Sequence, residues 1–411
     1  MQFNFYKILW IVYLTLLTAF TSFEVHLTLF ALGFPFVFVP KVHVSKTAVQ
    51  MILILLGIVL MGLLTSIFNQ TTMYDRIKDL LYFLKPVLGL LLGYGLIKRI
   101  NDMQFLLRSM VILALGFSII HTAKILIQID VSEATVEIIR KNGIDNLLEL
   151  FALAILISSF KNPFFDVFKN TYFKHLALFL IGISFTLYFS RMMFVGLILF
   201  VLAFTGLAKL TKRGFSYFVV LCMAVAVFYA YLFSTEIKRD QPGIQSFLYK
   251  MKIAPAEIFL PSKEINEKNH AELWDHWRAY EAQRAIGELN EDPKNYIAGK
   301  GFGSLIDLGF VAPVNEEGMR YIPHIHNGYI YVLYKTGIFA LISYLILLSF
   351  LYLQSYNKSD SVFRKNTQNL IAGIGLFFIF SSLITTGIYN EHEFYMFFLG
   401  GFLFHLQHSE K

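Results

Sequence analysis

The chain has 411 residues, of which 56% are hydrophobic and only 15% are charged, and its mean hydropathy is +0.59. Soluble globular domains carry about 25% charged residues, so this composition excludes an ordinary soluble protein. The single cysteine, Cys222, lies in an apolar run, which excludes an internal disulfide and a cysteine-based metal site. Membrane topology explains the formal net charge of +7 better than binding to nucleic acid does, so no nucleic acid partner is expected.

Apolar runs of about 20 residues, the length a helix needs to cross a bilayer, recur along the chain. Three of them, 51–68, 176–189 and 371–387, contain no charged residue at all. We therefore predict an all-α polytopic membrane protein with about twelve transmembrane helices. The predicted spans are residues 8–23, 25–40, 48–68, 80–98, 104–128, 144–160, 172–190, 192–208, 215–234, 327–354, 368–388 and 391–407.

Lysine and arginine in the short loops predict the orientation of these spans. If the N-terminus is cytoplasmic, roughly sixteen of these cations lie on the cytoplasmic face and roughly five in the short loops opposite. This bias places the long polar segment outside the cytoplasm. The predicted organisation is transmembrane helices 1–9 in residues 1–234, an external loop domain with short helices in 235–325, and the last three transmembrane helices in 326–411.

Arg191 is the first candidate site residue in chain order, and it follows Phe189-Ser190 between the seventh and eighth spans. A cation at a membrane boundary either anchors the protein to lipid phosphate or binds an anionic group of a substrate. A guanidinium group suits both roles, because its planar fork of donors matches phosphate geometry. Both interpretations stay open.

The external segment contains a second candidate arginine on a predicted helix. Residues 272–289 have helical periodicity, and Arg278 lies within them with Glu281 three residues later. These two side chains either pair on a solvated face, worth about 0.2–0.5 kcal/mol, or Arg278 points into a cavity beside Arg191.

A glycine-rich stretch, Gly299-Lys300-Gly301-Phe302-Gly303, lies near the end of the external segment. It lacks the further Gly-Lys-Ser/Thr spacing of a phosphate loop. The stretch therefore favours a tight turn that returns the chain toward the membrane, with Lys300 adding positive charge.

His324 and His326 end the polar segment at the start of the tenth span. Histidine gains and loses a proton near neutral pH, so this junction is where we expect chemistry. His326 is the main candidate, Asn327 is expected to orient it, and Gly337 is expected to allow close helix contact. No Glu or Cys at metal-ligand spacing accompanies the two histidines, so no metal site is predicted.

Several short motifs between about Ser184 and Tyr352 together resemble the bacterial O-antigen ligase and O-antigen polymerase superfamily. Their order, spacing and predicted side of the membrane carry the resemblance. The motifs are Ser190-Arg191, Trp277-Arg278-Ala279-Tyr280-Glu281-Ala282, Gly299-Lys300-Gly301-Phe302-Gly303, His324-Ile325-His326-Asn327 and Lys335-Thr336-Gly337-Ile338-Phe339.

The resemblance implies a GT-C-like glycosyltransferase of the bacterial inner membrane with its active site facing the periplasm. Its donor would be a glycan on undecaprenyl pyrophosphate, and it would need neither a metal ion nor another cofactor. The acceptor would be lipid A-core in a ligase, or a lipid-linked repeat unit in a polymerase. We favour the ligase and leave the choice open. A lipid-linked sugar transporter or flippase is a more remote alternative, since charge collects at one face and no repeated halves are evident.

The resemblance also implies roles for single residues. At matching motif positions, Arg191 and Arg278 would bind the pyrophosphate, while His326 would act as the base or orient the acceptor. Supporting roles would fall to His324, Asn327, Glu281, Lys300 and Gly337. Attack on the anomeric carbon opposite the leaving group would invert its configuration. Membrane lipids would surround the protein.

Overall fold

The computed structural model describes residues 5–38, 44–128, 139, 146–238, 244–259, 270–313, 318–390 and 393–408. The ends of the predicted spans at 39–40, 144–145 and 391–392 lie outside these ranges. Within them the chain is mainly helical. The helices are α1 (Phe5–Ala19), α2 (Phe23–Phe38), α3 (Lys46–Ser66), α4 (Met73–Ile100), α5 (Met103–Gln128), α6 (Leu147–Ser158), α7 (Thr171–Leu187), α8 (Arg191–Phe204), α9 (Lys212–Ser234), α10 (Ile244–Phe259), α11 (His270–Asn290), α12 (Lys294–Ala298), α13 (Gly328–Leu353), α14 (Val362–Ile384) and α15 (Tyr395–His408).

Six of the helices are long and apolar enough to cross a membrane by length and composition, namely α3, α4, α5, α9, α13 and α14. Shorter apolar helices of 10–17 residues are α1, α2, α6, α7, α8 and α15. Each predicted span overlaps one of these helices. The expectation of a helical membrane protein is therefore confirmed in outline, while the count of about twelve spans and the placement of the loops stay predictions.

A two-stranded antiparallel sheet was not predicted from the sequence. Strands β1 (Ile306–Ala312) and β2 (Met319–Ile322) pair with Ile306 opposite Ile322. Arg320 holds Asp307 across the pair through two hydrogen bonds of 2.9 Å. This small hairpin is an addition to a chain that is otherwise helical as predicted, and it gave no clear alternating pattern in the sequence. The expected helix over 272–289 is confirmed as α11.

The described helices form two compact units. Unit 1 comprises Met1–Ala19, Asn101–Ala254 and Leu353–Gly373. Its centre is α6, which is apolar on nearly all sides and packs against α5, α7 and α8. A helix that is hydrophobic all round belongs in a core, and α6 is buried along almost its whole length.

Polar contacts gather several helix ends at one end of unit 1. The Lys7 amino group forms an ion pair with Asp102 at 2.8 Å. The Gln104 amide donates to the Phe164 carbonyl oxygen at 2.9 Å, and Asn162 and Asn366 are joined at 2.7 Å. These residues all belong to segments that the charge bias predicts to be cytoplasmic.

Unit 2 comprises Phe20–Ile100, Pro255–Tyr352 and Ile374–Lys411, with α4 at its centre against α2, α3 and α15. At the C-terminal end of α4, the Tyr94 hydroxyl accepts from the Ser45 amide and donates to Gln407. Near its N-terminal end, Lys85 donates to the Asn390 carbonyl oxygen at 3.0 Å. The segments that meet at this second end are those predicted to be external.

A break in α13 receives the glycine-rich turn. Gly337 has φ 80° and ψ 179°, a conformation open to glycine alone. Just before the break, the Tyr334 and Lys335 carbonyl oxygens accept hydrogen bonds from the Lys300 and Gly301 amides at 2.6 and 3.1 Å. The turn therefore supplies the partners that a continuous helix would have supplied.

A buried ion pair fastens this junction to α4. Lys335 and Asp79 lie 2.6 Å apart, and their side chains are 0% and 2% exposed. Asp79 also accepts from the Gly303 amide at 2.7 Å, and Lys335 donates to the Ser304 carbonyl oxygen at 2.5 Å. Two helices and the turn thus share one electrostatic contact.

We expect Gly337→Ala to lower the free energy of unfolding by about 1–3 kcal/mol, because alanine is strained at this φ and ψ. Its Cβ would also lie 2.2 Å from the Ile297 carbonyl oxygen. Gly57→Ala is the matched control, because nothing lies within 4 Å of a Cβ at that helical position. Thermal unfolding of the two purified variants in one detergent measures the difference, and equal midpoints would contradict the assignment.

Candidate functional site

Helix α11 is held in place by polar side chains that recur every four residues. The Tyr280 hydroxyl donates to the Leu308 carbonyl oxygen, and Arg284 donates to the Asp307 carbonyl oxygen at 2.7 Å. Glu288 accepts from the Asp307 amide at 2.7 Å. Because one side of α11 is fixed to β1 in this way, the direction of the neighbouring Glu281 side chain is fixed too.

Glu281 contacts His326 through a single carboxylate oxygen. Oε2 accepts from the His326 backbone amide at 2.9 Å and lies 2.8 Å from the ring Nδ1. A carboxylate can only accept hydrogen bonds, so Nδ1 carries the hydrogen and donates it. In the neutral ring, Nε2 is then the nitrogen with the lone pair.

The two partners differ sharply in exposure. The Glu281 side chain is 3% exposed, while that of His326 is 50% exposed. Within the described ranges, Nε2 of His326 has no hydrogen-bond partner. A buried carboxylate thus orients a half-exposed ring whose second nitrogen has no protein partner in the described ranges, an arrangement that suits a general base.

His324 lies in a different environment although it is only two residues away. Its Nδ1 is 3.1 Å from the Tyr331 hydroxyl, and its ring centroid is 4.3 Å from that of Tyr82. The residue as a whole is half-buried, but its Nε2 atom is fully buried and has no hydrogen-bond partner in the described part of the chain. Burial, followed by the nearby charges of Lys335 and Lys78, holds the pKa of His324 well below its ordinary value of 6.5. His324 therefore packs as a neutral ring.

Lys78 is a cation near the histidines that sequence reasoning did not select. It lies on α4 beside Asp79, close enough for its charge to act on His324. The described part of the chain shows no hydrogen bond or ion pair for its amino group. Lys78 is one of the few cations in the predicted external loops, and this was the only feature of the sequence that could have identified it as a candidate site residue.

Arg278 forms an ion pair with Glu257 of α10 at 3.1 Å. Neither of the expected alternatives named Glu257 as its partner. Glu281, the expected partner on α11, serves His326 instead. A phosphate group that binds Arg278 would have to compete with the Glu257 carboxylate.

Two supporting residues have contacts that differ from their expected ones. The Asn327 side chain accepts from the Ile330 amide at 3.1 Å and so caps α13, and the ring of His326 is oriented by Glu281. Lys300 pairs with the exposed Glu291 at 3.0 Å. Its positive charge is therefore partly offset.

Arg191 belongs to unit 1, where it is the first residue of α8. Its Nη1 donates to the Lys250 carbonyl oxygen at 2.6 Å. The preceding Phe189 has φ 46°, a left-handed conformation that is rare for a bulky residue and marks a forced turn between α7 and α8. That Arg191 shares a site with Arg278 and His326 stays a prediction.

Taken together, the apolar helices and the long polar segment between α9 and α13 define a multi-pass helical membrane protein. Residues 176–345 match the family model described as O-Antigen ligase. The resemblance expected from the motifs is thus confirmed over about two fifths of the chain. The match includes Arg191, Arg278 and His326. No curated protein sequence matches the chain.

The buried His324 makes the stability of unit 2 depend on pH. The folded-state pKa of His324 is depressed below 6.5. The neutral ring therefore causes no loss in the free energy of unfolding above pH 6.5. Below that pH the unfolded chain takes up a proton that the folded chain excludes, and stability falls by at most about 1.4 kcal/mol per pH unit.

We expect His324→Phe to flatten this decline, while His175→Phe, at an exposed position in unit 1, keeps it. Unfolding midpoints between pH 5 and 7.5 in one detergent are the measurement. A decline of equal slope in wild type and His324→Phe would show that His324 is not the group responsible.

Proposed function

We propose that this protein is an O-antigen ligase that transfers a glycan from undecaprenyl pyrophosphate to lipid A-core at the periplasmic face of the bacterial inner membrane. The observation that carries the proposal is His326, whose Nδ1 is held by the buried Glu281 and whose side chain is half exposed. The family match supports lipid-linked glycans as the general substrate class.

In the proposed reaction, the acceptor hydroxyl gives its proton to Nε2 of His326 as its oxygen attacks the anomeric carbon. The bond between that carbon and the phosphate oxygen breaks, and undecaprenyl pyrophosphate leaves with the electron pair. Glu281 stabilises the imidazolium that forms. A positioned base of this kind contributes about 10²–10⁴-fold to a rate.

The pyrophosphate supplies the activation that ATP would supply in the cytoplasm. Negative charge grows on it as the glycosidic bond breaks, so fixed cations stabilise the transition state more than the ground state. We assign this role to Arg278 and Arg191, with Lys78 adding positive potential. Binding at Arg278 exchanges the Glu257 carboxylate for phosphate oxygens of like charge.

Metal independence and inversion at the anomeric carbon belong to the same proposal. Two guanidinium groups neutralise a departing diphosphate in the way that a divalent cation would. Attack from the side opposite the leaving group inverts the configuration. A repeat-unit polymerase would use the same groups on a different acceptor, so only the acceptor separates it from a ligase.

We expect His326→Ala to lower kcat by about 10²-fold or more and Glu281→Gln to lower it by at least ~10-fold, with little change in KM for the donor. The Glu281→Gln substitution keeps a polar group at this position but removes the charge that holds the ring through Nδ1. Glu236→Gln, an exposed carboxylate of the polar segment, is the control. A Glu281→Gln enzyme with wild-type kcat would contradict the positioning role.

Deleting the gene identifies the acceptor. Loss of a ligase leaves bare lipid A-core and accumulates lipid-linked polymer. Loss of a polymerase leaves core that carries one repeat unit. Electrophoresis of the surface glycan distinguishes the two patterns, and an unchanged pattern in a strain that makes O-antigen would contradict glycan transfer altogether.

A further inference from the structure

Two adjoining grooves open in unit 1 at the N-terminal end of α5. Both are lined by Arg108, Phe168 and Lys169. The grooves run between α5 and the segment that leads into α7. They lie at the end of unit 1 that carries the Lys7–Asp102 ion pair.

The charge in these grooves is positive. Their acidic lining residues are neutralised, because Asp102 pairs with Lys7 at 2.8 Å and Asp166 pairs with Lys174 at 3.4 Å. Arg108 is exposed, and neither it nor Lys169 has a hydrogen bond or ion pair from its side chain in the part of the chain that the structure describes. Arg108 and Lys169 are therefore available to bind an anionic ligand.

The apolar side of the grooves is exposed as well. Ile112 lies one turn beyond Arg108 on α5, about 6 Å further along the helix at 1.5 Å per residue. It is 46% exposed, and Phe173 on the facing helix is 43% exposed. The length and composition of α5 allow it to span a bilayer. With α5 in that position, the cations would lie at headgroup depth and the apolar residues at the depth of the acyl chains.

We propose that these grooves bind an anionic phospholipid. Its phosphate oxygens contact the Arg108 guanidinium and the Lys169 amino group, and an acyl chain lies along Ile112 and Phe173. A free phosphate ion would use the two cations but would leave the apolar residues uncovered. Basic pockets between membrane helices are known to bind anionic lipid headgroups. The site is independent of the glycan chemistry.

The test uses the full-length chain in detergent, with binding measured by native mass spectrometry and by thermal shift. We expect phosphatidylglycerol to bind at least ~10-fold more tightly than phosphatidylcholine, and inorganic phosphate to have no effect. Equal binding of the two lipids would overturn the proposal. So would stabilisation by inorganic phosphate of the same size as that by phosphatidylglycerol.

Variants locate the site. Arg108→Gln with Lys169→Gln should lose the preference for phosphatidylglycerol by roughly 10-fold or more. Lys161→Gln with Lys212→Gln removes the same charge from exposed positions that do not line these grooves, and it should keep the preference. An equal loss in both double variants would mean non-specific attraction and would refute the site. The lipid comparison on the wild-type chain stands even if a variant folds poorly.

Discussion

The buried ion pair between Lys335 and Asp79 is the contact on which unit 2 depends. Both charges are removed from water, which is costly unless each is fully compensated. Each has a second bond to the glycine-rich turn, through the Gly303 amide and the Ser304 carbonyl oxygen. Removing one partner would leave an uncompensated charge, at a cost of about 3–5 kcal/mol. The pair therefore fixes α4, α13 and the turn as one junction.

The positions of the two histidines follow from that junction. His324 and His326 precede α13, whose first turns are held by the ion pair and by the turn. The His324 ring packs against Tyr82 and stays neutral. The half-exposed His326 ring is held by the buried Glu281 carboxylate. Two neighbouring histidines thus lie in different environments: burial keeps His324 neutral, whereas the His326 side chain is half exposed and bound to a fixed carboxylate.

Several elements were predictable from local pattern. The apolar runs located the apolar helices to within seven residues at each end, because span length is set by hydrocarbon thickness and needs no tertiary information. The helical period of α11 and the glycine-rich turn at Gly299–Gly303 were also predictable from neighbouring residues alone. The hairpin was missed because two short strands carry little periodicity. The break at Gly337 was missed because its cause, the docked turn, lies some 35 residues earlier in the chain.

By itself, the sequence determined that the protein is helical and suited to a membrane, and that its histidines end a long polar segment. Only the tertiary structure decided which groups meet. His326 and Glu281 are 45 residues apart, and Lys335 and Asp79 are 256 apart. Hydrophobic length is a property of consecutive residues, and it can be read along the chain. A hydrogen bond or ion pair depends on a distance in space, which the packing of the whole unit sets.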